Sequence, residues 1–291
     1  MNFFGGTSKV YQKPSELRLA CRSGAFKGHT TGQASGYAQA NICILPKEYA
    51  YDFLLFCVRN PKPCPLLYVL EAGEYTFGSW GKKVDIRTDL PKYRVFQDGI
   101  LRTEMDSLCA LSKDGDKETK TLWQDDFVTF VIGCSFSFEE ALVRGGVPMR
   151  HIDQGTNVPM YRTNIPTEKA GIFEGPLIVS MRPMSIADSI KAIEITARYP
   201  KVHGAPVYVC KPHYSGLIST ICAVPELGIE DMNKPDYGDP VEIRNGEVCV
   251  FWACGVTPQS VVQMAKPKIC ITHAPGCMLV LDMKNDELGT S

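Results

Sequence analysis

The sequence predicts an α/β protein: a discontinuous three-layer α/β domain made of residues 1–125 and 211–291, with a two-layer α+β domain, residues 126–210, inserted between its halves. Three observations lead there. Three segments repeat a strand, helix, strand rhythm. Two hydrophilic stretches, "SKDGDKETK" and "KPHYSGLISTICAVPELGIEDMNKPDYGDP", bracket the proposed insert. A chain of 291 residues, 44% hydrophobic and 22% charged, is long and apolar enough to bury a substantial core.

The first unit begins with the extended run "YAQANICIL". It continues through "PKEYAYDFLLFCVRN", with Pro46 near a helix start and Tyr49, Phe53 and Phe56 on a helical period, and ends in "PKPCPLLYVL", whose prolines stop the helix before a new strand. The second is "GPLIVSMRPMSIADSIKAIEITARYPKVHGAPVYV". Here Ser185 is placed to cap a helix with Asp188 three residues on, Ile186, Ile190 and Ile193 share a face, and Pro200 terminates it. The third is "EVCVFWACGVTPQSVVQMAKPKICITHAPGCMLVLD", in which Thr257 can cap and Pro258 can take the first helical position. Such alternation favours a largely parallel sheet whose connections present helix N-termini as binding edges.

Composition narrows the partners. Lys+Arg 31 against Asp+Glu 32 leaves a formal charge of -1 with no basic block, so nucleic acid is not expected. No apolar run reaches the roughly 18 residues of a membrane span, and no secretory apolar core opens the chain. The expected compartment is the cytoplasm. The mitochondrial matrix is the alternative left open by Lys9, Lys13, Arg18 and Arg22 against Glu16 near the start. The 12 cysteines are scattered, without a C-x-x-C pair, and the five histidines are far apart, so most thiols read as core residues, and no metal is expected.

Twice an apolar run ends in a cysteine at the mouth of a helix: "FVIGCSFSFEEAL" and "VFWACGVTPQSVV". Backbone N–H groups next to Cys134 and Ser135, and next to Cys254 and Gly255, would face outward from the strand ends, where the helix dipole favours an anion. A substrate carboxylate fits there. A nucleophilic thiol would need a base or a lowered pKa, and no spacing supplies a histidine partner, so the turns read as anion cradles. Ser137 and Glu140 are spaced as a capping box, which competes with an acid/base role for Glu140.

Further candidates lie in loops. "NVPMYRTNIP" gathers Asn157, Tyr161 and Arg162 between prolines; Arg162 can hold a carboxylate by two parallel bonds or pair with a nearby acid. Arg182 ends an apolar strand before a proline, open to the same two readings. His29, in the glycine-rich "CRSGAFKGHTTGQASGYAQAN", is a candidate proton carrier or a solvated loop residue. His203 in "KVHGAPV" and His273 in "THAPG" each sit beside a strand and a proline turn, "YGDPVEI" adds Asp239 and Glu242 as candidate acids or bases, and Asp85, Arg87, Asp89 and Arg94 read as an ion-pair network.

In this order "NPKPCPLL", "DIRTDLPKYRVF", "IGCSFSFEEAL", "NVPMYRTN", "VHGAPV", "GDPVEI" and "FWACGVTPQ" resemble the hydro-lyase family whose characterised animal members are D-glutamate cyclases, over nearly the whole chain. The resemblance implies a two-domain α/β fold and closure of the D-glutamate α-amine onto its γ-carboxyl, giving 5-oxo-D-proline and water. That chemistry needs an anion-stabilising turn, a group for the α-carboxylate and one acid/base, and no cofactor. The candidate catalytic residues are His29, Glu140, His203 and Asp239. The candidate substrate-binding residues are Cys134, Ser135, Asn157, Tyr161, Arg162, Arg182, Cys254 and Gly255. The alternatives are dehydration of another small hydroxy acid or non-catalytic binding of an acidic metabolite. The expected partner is a small carboxylate, with a homo-oligomer also open.

Overall fold

The structure, a computed structural model, describes residues 9–78, 84–109, 122–211, 213–214 and 222–290. The expected loop "SKDGDKETK" and part of the second expected loop lie outside the described residues. The helices are α1 (Pro14–Arg22), α2 (Lys47–Arg59), α3 (Phe136–Arg144), α4 (Arg150–Asp153), α5 (Ile186–Ala197) and α6 (Val256–Ala265). The strands are β1 (Tyr37–Pro46), β2 (Leu66–Leu70), β3 (Thr76–Phe77), β4 (Val84–Asp85), β5 (Tyr93–Gln97), β6 (Ile100–Met105), β7 (Phe127–Gly133) and β8 (Met160–Pro166). They continue as β9 (Pro176–Met184), β10 (Tyr208–Cys210), β11 (His213–Tyr214), β12 (Cys222–Ala223), β13 (Val248–Ala253), β14 (Cys270–His273) and β15 (Leu279–Lys284).

A seven-stranded sheet runs β2-β7-β1-β14-β5-β6, with β15 also paired to β1, and a four-stranded sheet runs β10-β13-β9-β8. The mixed α/β class holds, but the parallel sheet does not: every ladder among the described residues is antiparallel. The physical reason is a split crossover. β1 and β2 are both antiparallel to β7, so they run parallel to each other with β7 between them. β9 and β10 flank β13 in the same way. The strand–helix–strand rhythm of the first two units is therefore real, while their strand neighbours come from much later in the chain. The third expected unit is different, because β13 lies in the small sheet and β14 in the large one, so α6 bridges two sheets.

The sheets also redraw the expected insert. β7, expected inside residues 126–210, is central to the large sheet, and β13, expected outside, is central to the small one. The chain thus builds one plan twice: β1-α2-β2, then β7-α3 inserted between, and β9-α5-β10, then β13-α6 inserted between. The local registers repeat as well. Gly133 pairs with Ala40 and Ala253 with Val179, and each strand then ends in a cysteine. Ser137 Oγ accepts from Gln39 N at 3.1 Å on β1, and Thr257 Oγ1 accepts from Ile178 N at 3.0 Å on β9.

These hydroxyls therefore tie helix to sheet and do not cap. α3 begins at Phe136, ahead of the expected box, and Glu140 instead accepts from Asn285 Nδ2 at 2.9 Å. α6 begins at Val256, so Pro258 is the third helical residue, two positions further in than expected. The Ser185 cap does form, accepting from Asp188 N at 3.1 Å. Ile186, Ile190 and Ile193 share a face of α5, and it is the exposed one, since Ser189, Ala192 and Thr196 are buried.

The main core lies between the two sheets. Ile42, Ile44, Val131 and Ile271 from the large sheet meet Met184, Val250 and Trp252 from the small one, with Phe138 and Leu142 of α3 filling the seam. On the far face of the large sheet Phe53 and Phe56 of α2 and Val261 and Val262 of α6 pack on Leu45, Phe130 and Ile132. This arrangement puts the N-termini of α3 and α6 at the same seam.

Candidate active site

Both strand-end turns open into one cavity of about 200 Å³. Cys134, Ser135, Cys254 and Gly255 line it together with Asn41, Asn157, Ser260 and His273. The turns are built alike. Ser137 N donates to Cys134 O at 3.1 Å and Thr257 N to Cys254 O at 3.0 Å, which winds each first helical turn and leaves the helix N-terminus facing inward. Ser135 and Gly255 hold the equivalent N-cap positions. Helix N-termini at a small cavity carry partial positive charge, which favours an anion there.

Neither thiol is an easy nucleophile at neutral pH. Burial pushes Cys134 up to about 12, with the Phe136 N–H pulling the other way and Cys254 adding to the rise. Burial likewise pushes Cys254 up to about 11 against the Val256 N–H. Cys254 Sγ lies 3.4 Å from Met160 Sδ.

His273, at the end of β14, is the cavity's buried imidazole. Its Nδ1 is 2.8 Å from Ala274 O, and its Nε2 is 2.9 Å from Asn41 Oδ1 and 2.8 Å from Gln259 Nε2. Burial holds it neutral down to about 4, only partly offset by the Ala274 carbonyl. With Nδ1–H donating to Ala274 O, Nε2 offers its lone pair to Gln259; once Nε2 takes a proton, it donates to Asn41 Oδ1. Each protonation state has a waiting partner, which suits a group that moves one proton. Asn41 is itself fixed from β1, donating through Nδ2 to Gly133 O at 3.0 Å. Gly255 is what lets Asn41 lie there, because a Cβ at that position would overlap the Asn41 amide.

Behind Ser135 lies a buried ion network. Glu139 Oε1 accepts from Arg182 Nε at 3.1 Å and from its NH2, and lies 3.3 Å from His151 Nε2. Arg182 also reaches Ser180 Oγ at 3.0 Å and Ser135 Oγ at 3.4 Å. Burial alone would raise the Glu139 pKa, but Arg182 and His151 outweigh it and hold the carboxyl at about 2. The network braces the α3 turn from below.

Of the residues singled out from sequence, Cys134, Ser135, Asn157, Cys254 and Gly255 meet at the cavity. His273, named with His203 and Asp239, lines it too; the remaining candidates do not. Arg182 is committed to Glu139. Arg162 is exposed and donates to Tyr237 OH at 3.1 Å, so it supports a wall residue from outside; the loop's polar groups mostly satisfy nearby backbone. Tyr161 is buried in the small sheet, donating to Met232 O at 2.6 Å. His203 is buried with Nδ1 2.7 Å from Lys62 O, held neutral to about 4 by burial, and serves a turn contact. Asp239 is exposed and accepts from Asn157 N at 2.9 Å, which fixes a cavity residue's backbone. Glu140 lines a neighbouring cavity of about 260 Å³ with part of the glycine-rich loop. His29 is exposed against Gly276, at the cavity edge.

Sequence reasoning passed over Asn41, Gln259 and Ser260 and set Arg94 aside as structural. Arg94 lines the cavity, with Nε donating to Glu104 Oε1 at 2.8 Å, while Arg87 pairs with Asp85 and Asp89 pairs with Arg22. "GVTPQ" and "THAPG" carried the signal for Gln259 and His273, but only strand pairing joins them to Asn41. All twelve cysteines are free thiols, and no group of three or more His, Cys, Asp or Glu among the described residues could hold a metal ion. No helix among them is long and apolar enough to cross a membrane.

A sequence model of the D-glutamate cyclase family matches residues 128–282, which take in both turns and His273. A protein named "Putative hydro-lyase" from Bordetella petrii is 54% identical over 271 residues, covering 93% of this chain and 94% of its own. Similarly named proteins from Verminephrobacter eiseniae and Staphylococcus haemolyticus are 52% and 50% identical, each over 94% of this chain and over 91% and 97% of their own. A nitrogen repressor-like protein from Methanococcus jannaschii aligns with a TM-score of 0.37 at 10% identity, covering 90% of this chain and 92% of its own, too remote to bear on fold or function. The identity to these relatives, carried through nearly their full lengths, places the sequence in one group: the chain belongs to the D-glutamate cyclase family.

Proposed function

We propose that this protein is a lyase of the hydro-lyase class that closes D-glutamate to 5-oxo-D-proline with loss of water. The observation that carries the reading is the convergence of two helix N-termini and one neutral, buried imidazole on a cavity of about 200 Å³. A glutamate has two carboxylates and one nucleophilic amine. One helix end, aided by Arg94 at the wall, holds the α-carboxylate; the other receives the oxyanion that forms when the amine attacks the γ-carboxyl. His273 takes a proton from the amine through Nε2 and returns it to the departing oxygen, with Asn41 and Gln259 fixing the ring in each state. Bonds balance without a co-reactant: the amine loses two protons, one carboxyl oxygen leaves with them as water, and a C–N bond forms.

Dehydration of another small hydroxy acid uses the same anion ends and is the second reading, favoured by the names of the relatives. Incubation of purified protein with D- or L-glutamate, followed by chiral separation of 5-oxoproline, tests the first. The D product from D-glutamate is expected. Absence of 5-oxoproline from D-glutamate overturns it.

A further inference from the structure

Ser260 lies in α6, four residues after Val256, and both line the cavity. Ser260 is 3% exposed, and its hydroxyl has no hydrogen-bond partner among the described residues. Buried hydroxyls on α5 are satisfied within their own helix: Ser189 Oγ donates to Ile186 O at 2.7 Å and Thr196 Oγ1 to Ala192 O at 2.7 Å. Ser260 makes no such bond. Thr129 Oγ1 is also unpartnered but sealed inside the protein; Ser260 Oγ is not sealed and opens on the cavity. The duplicated plan shows which ligand group this hydroxyl suits. Ser137 of α3 matches Thr257 of α6, so Glu139 and Glu140 match Gln259 and Ser260. The two acids line the neighbouring cavity of about 260 Å³, while Gln259 and Ser260 line the cavity of about 200 Å³. Its described lining residues include Arg94 and no Asp or Glu. An anion at α6 therefore meets no like charge, and finds a free O–H beside the helix's first N–H groups.

We infer that Ser260 is a substrate-contacting residue whose hydroxyl donates to the α-carboxylate and so fixes that group at the α6 end of the cavity. The inference rests on the proposed function for the identity of the ligand. Side chains on a helix lean toward its N-terminus, which carries the Ser260 hydroxyl over the turn begun at Val256, beside that turn's N–H groups. The α3 end lacks this donor, because the matching residue is Glu140, which accepts from Asn285 Nδ2 in the other cavity. The two helix ends are thus unequal, and the difference sorts the two ends of the substrate. The α-carboxylate is charged from first encounter to product release, whereas the oxyanion exists only while the amine attacks. A donor standing ready at α6 serves the α-carboxylate in ground state and transition state alike, so it acts on binding more than on turnover. Ligand binding also gives a partner to a hydroxyl that is buried without one in the free protein.

The experiment combines steady-state kinetics on D-glutamate with calorimetric binding of D-glutamate and of 5-oxo-D-proline, which keeps the α-carboxylate as its one charged group. Ser260→Ala is expected to raise KM and to weaken 5-oxo-D-proline binding by the same factor, about tenfold, with kcat changed by less than about threefold. Its urea unfolding midpoint should match that of wild type, since no bond within the protein is lost; a purely structural Ser260 would move it. Ser260→Cys, close in volume and a poor donor, should follow the alanine variant, which separates the lost bond from the lost bulk. Unchanged KM and product affinity in both variants, or a fall in kcat with KM kept, overturns the inference. Turnover by wild type that both variants match sinks this inference and leaves the proposed function standing. If no 5-oxoproline forms, yet D-glutamate binds wild type and both variants bind it about tenfold more weakly, the proposed function falls and the Ser260 contact stands. Failure of wild type to bind either ligand overturns both.

Discussion

His273 is the histidine that lines the cavity, and its environment is far from that of an exposed imidazole. Burial keeps it neutral to about 4, and its Nε2 has a donor and an acceptor within 2.9 Å, so it can accept and return a proton without a neighbour turning. His273→Gln keeps polarity but not titration. The expected outcome is a loss of kcat of about 100-fold or more with a smaller change in KM, measured by steady-state kinetics. A wild-type kcat would remove His273 from the chemistry. Gly255 makes a second case. Its φ of −64 suits any residue, so Gly255→Ala costs nothing in backbone conformation; the added methyl meets the Asn41 amide instead. Asn41 must then leave His273 or Gly133 O, and kcat/KM should fall by about tenfold or more, the scale of a lost hydrogen bond to a reacting group. An active Gly255→Ala enzyme would mean that Asn41 is not needed where it lies.

At the scale of elements, α3 depends on the ion network beneath its first turn. Glu139→Gln leaves the Arg182 guanidinium buried without its counter-charge, which should cost about 3–5 kcal/mol in urea unfolding. The pH dependence has two windows. His203 and His273 are held at about 4 against an ordinary 6.5, so the unfolded chain binds more protons and stability falls as pH drops from 6.5 to 4. Glu139 is held at about 2 against 4.5, so its contribution is full above 4.5 and lost as pH falls towards 2. Unfolding midpoints at pH 7, 5 and 3 should show Glu139→Gln flattening the lower window and leaving the upper one; a flattened upper window would contradict the assignment. The twin turns were legible in sequence because each is local, a strand, a cysteine and a helix start within a few residues. His273 was named only as a turn histidine, and its partners Asn41 and Gln259 were not seen, because β1 and β14 become neighbours only through sheet pairing. The parallel sheet was misread for the same reason: the pattern of β1-α2-β2 is local, and the β7 strand that splits it comes more than fifty residues later. Arg162 drew notice for polarity that it spends on the Asp236 carboxylate, through its backbone N–H, and on Tyr237.

For the whole molecule, the repeated plan makes a claim that can be measured. Ser137 and Thr257 perform one task in two sheets: each hydroxyl accepts from a buried strand N–H, Gln39 at 3.1 Å and Ile178 at 3.0 Å, and so sets how its helix leaves the strand end. Ser137→Ala and Thr257→Val remove the acceptor and leave a buried donor unpaired, a cost of about 1–3 kcal/mol each. The two hydroxyls bond to strands of different sheets and share no partner, so the double variant should lose the sum of the two within about 0.5 kcal/mol. Activity should not add in this way. Both turns face one ligand, so whichever turn is loosened first already misplaces the bound carboxylate, and the second substitution should cost less kcat/KM than it does alone. Additive stability with sub-additive activity is the signature of two structural units serving one site. Additive losses in both would mean that the turns act on separate ligands, and strong coupling in stability would mean that the sheets fold as a single unit through the seam filled by Phe138 and Trp252.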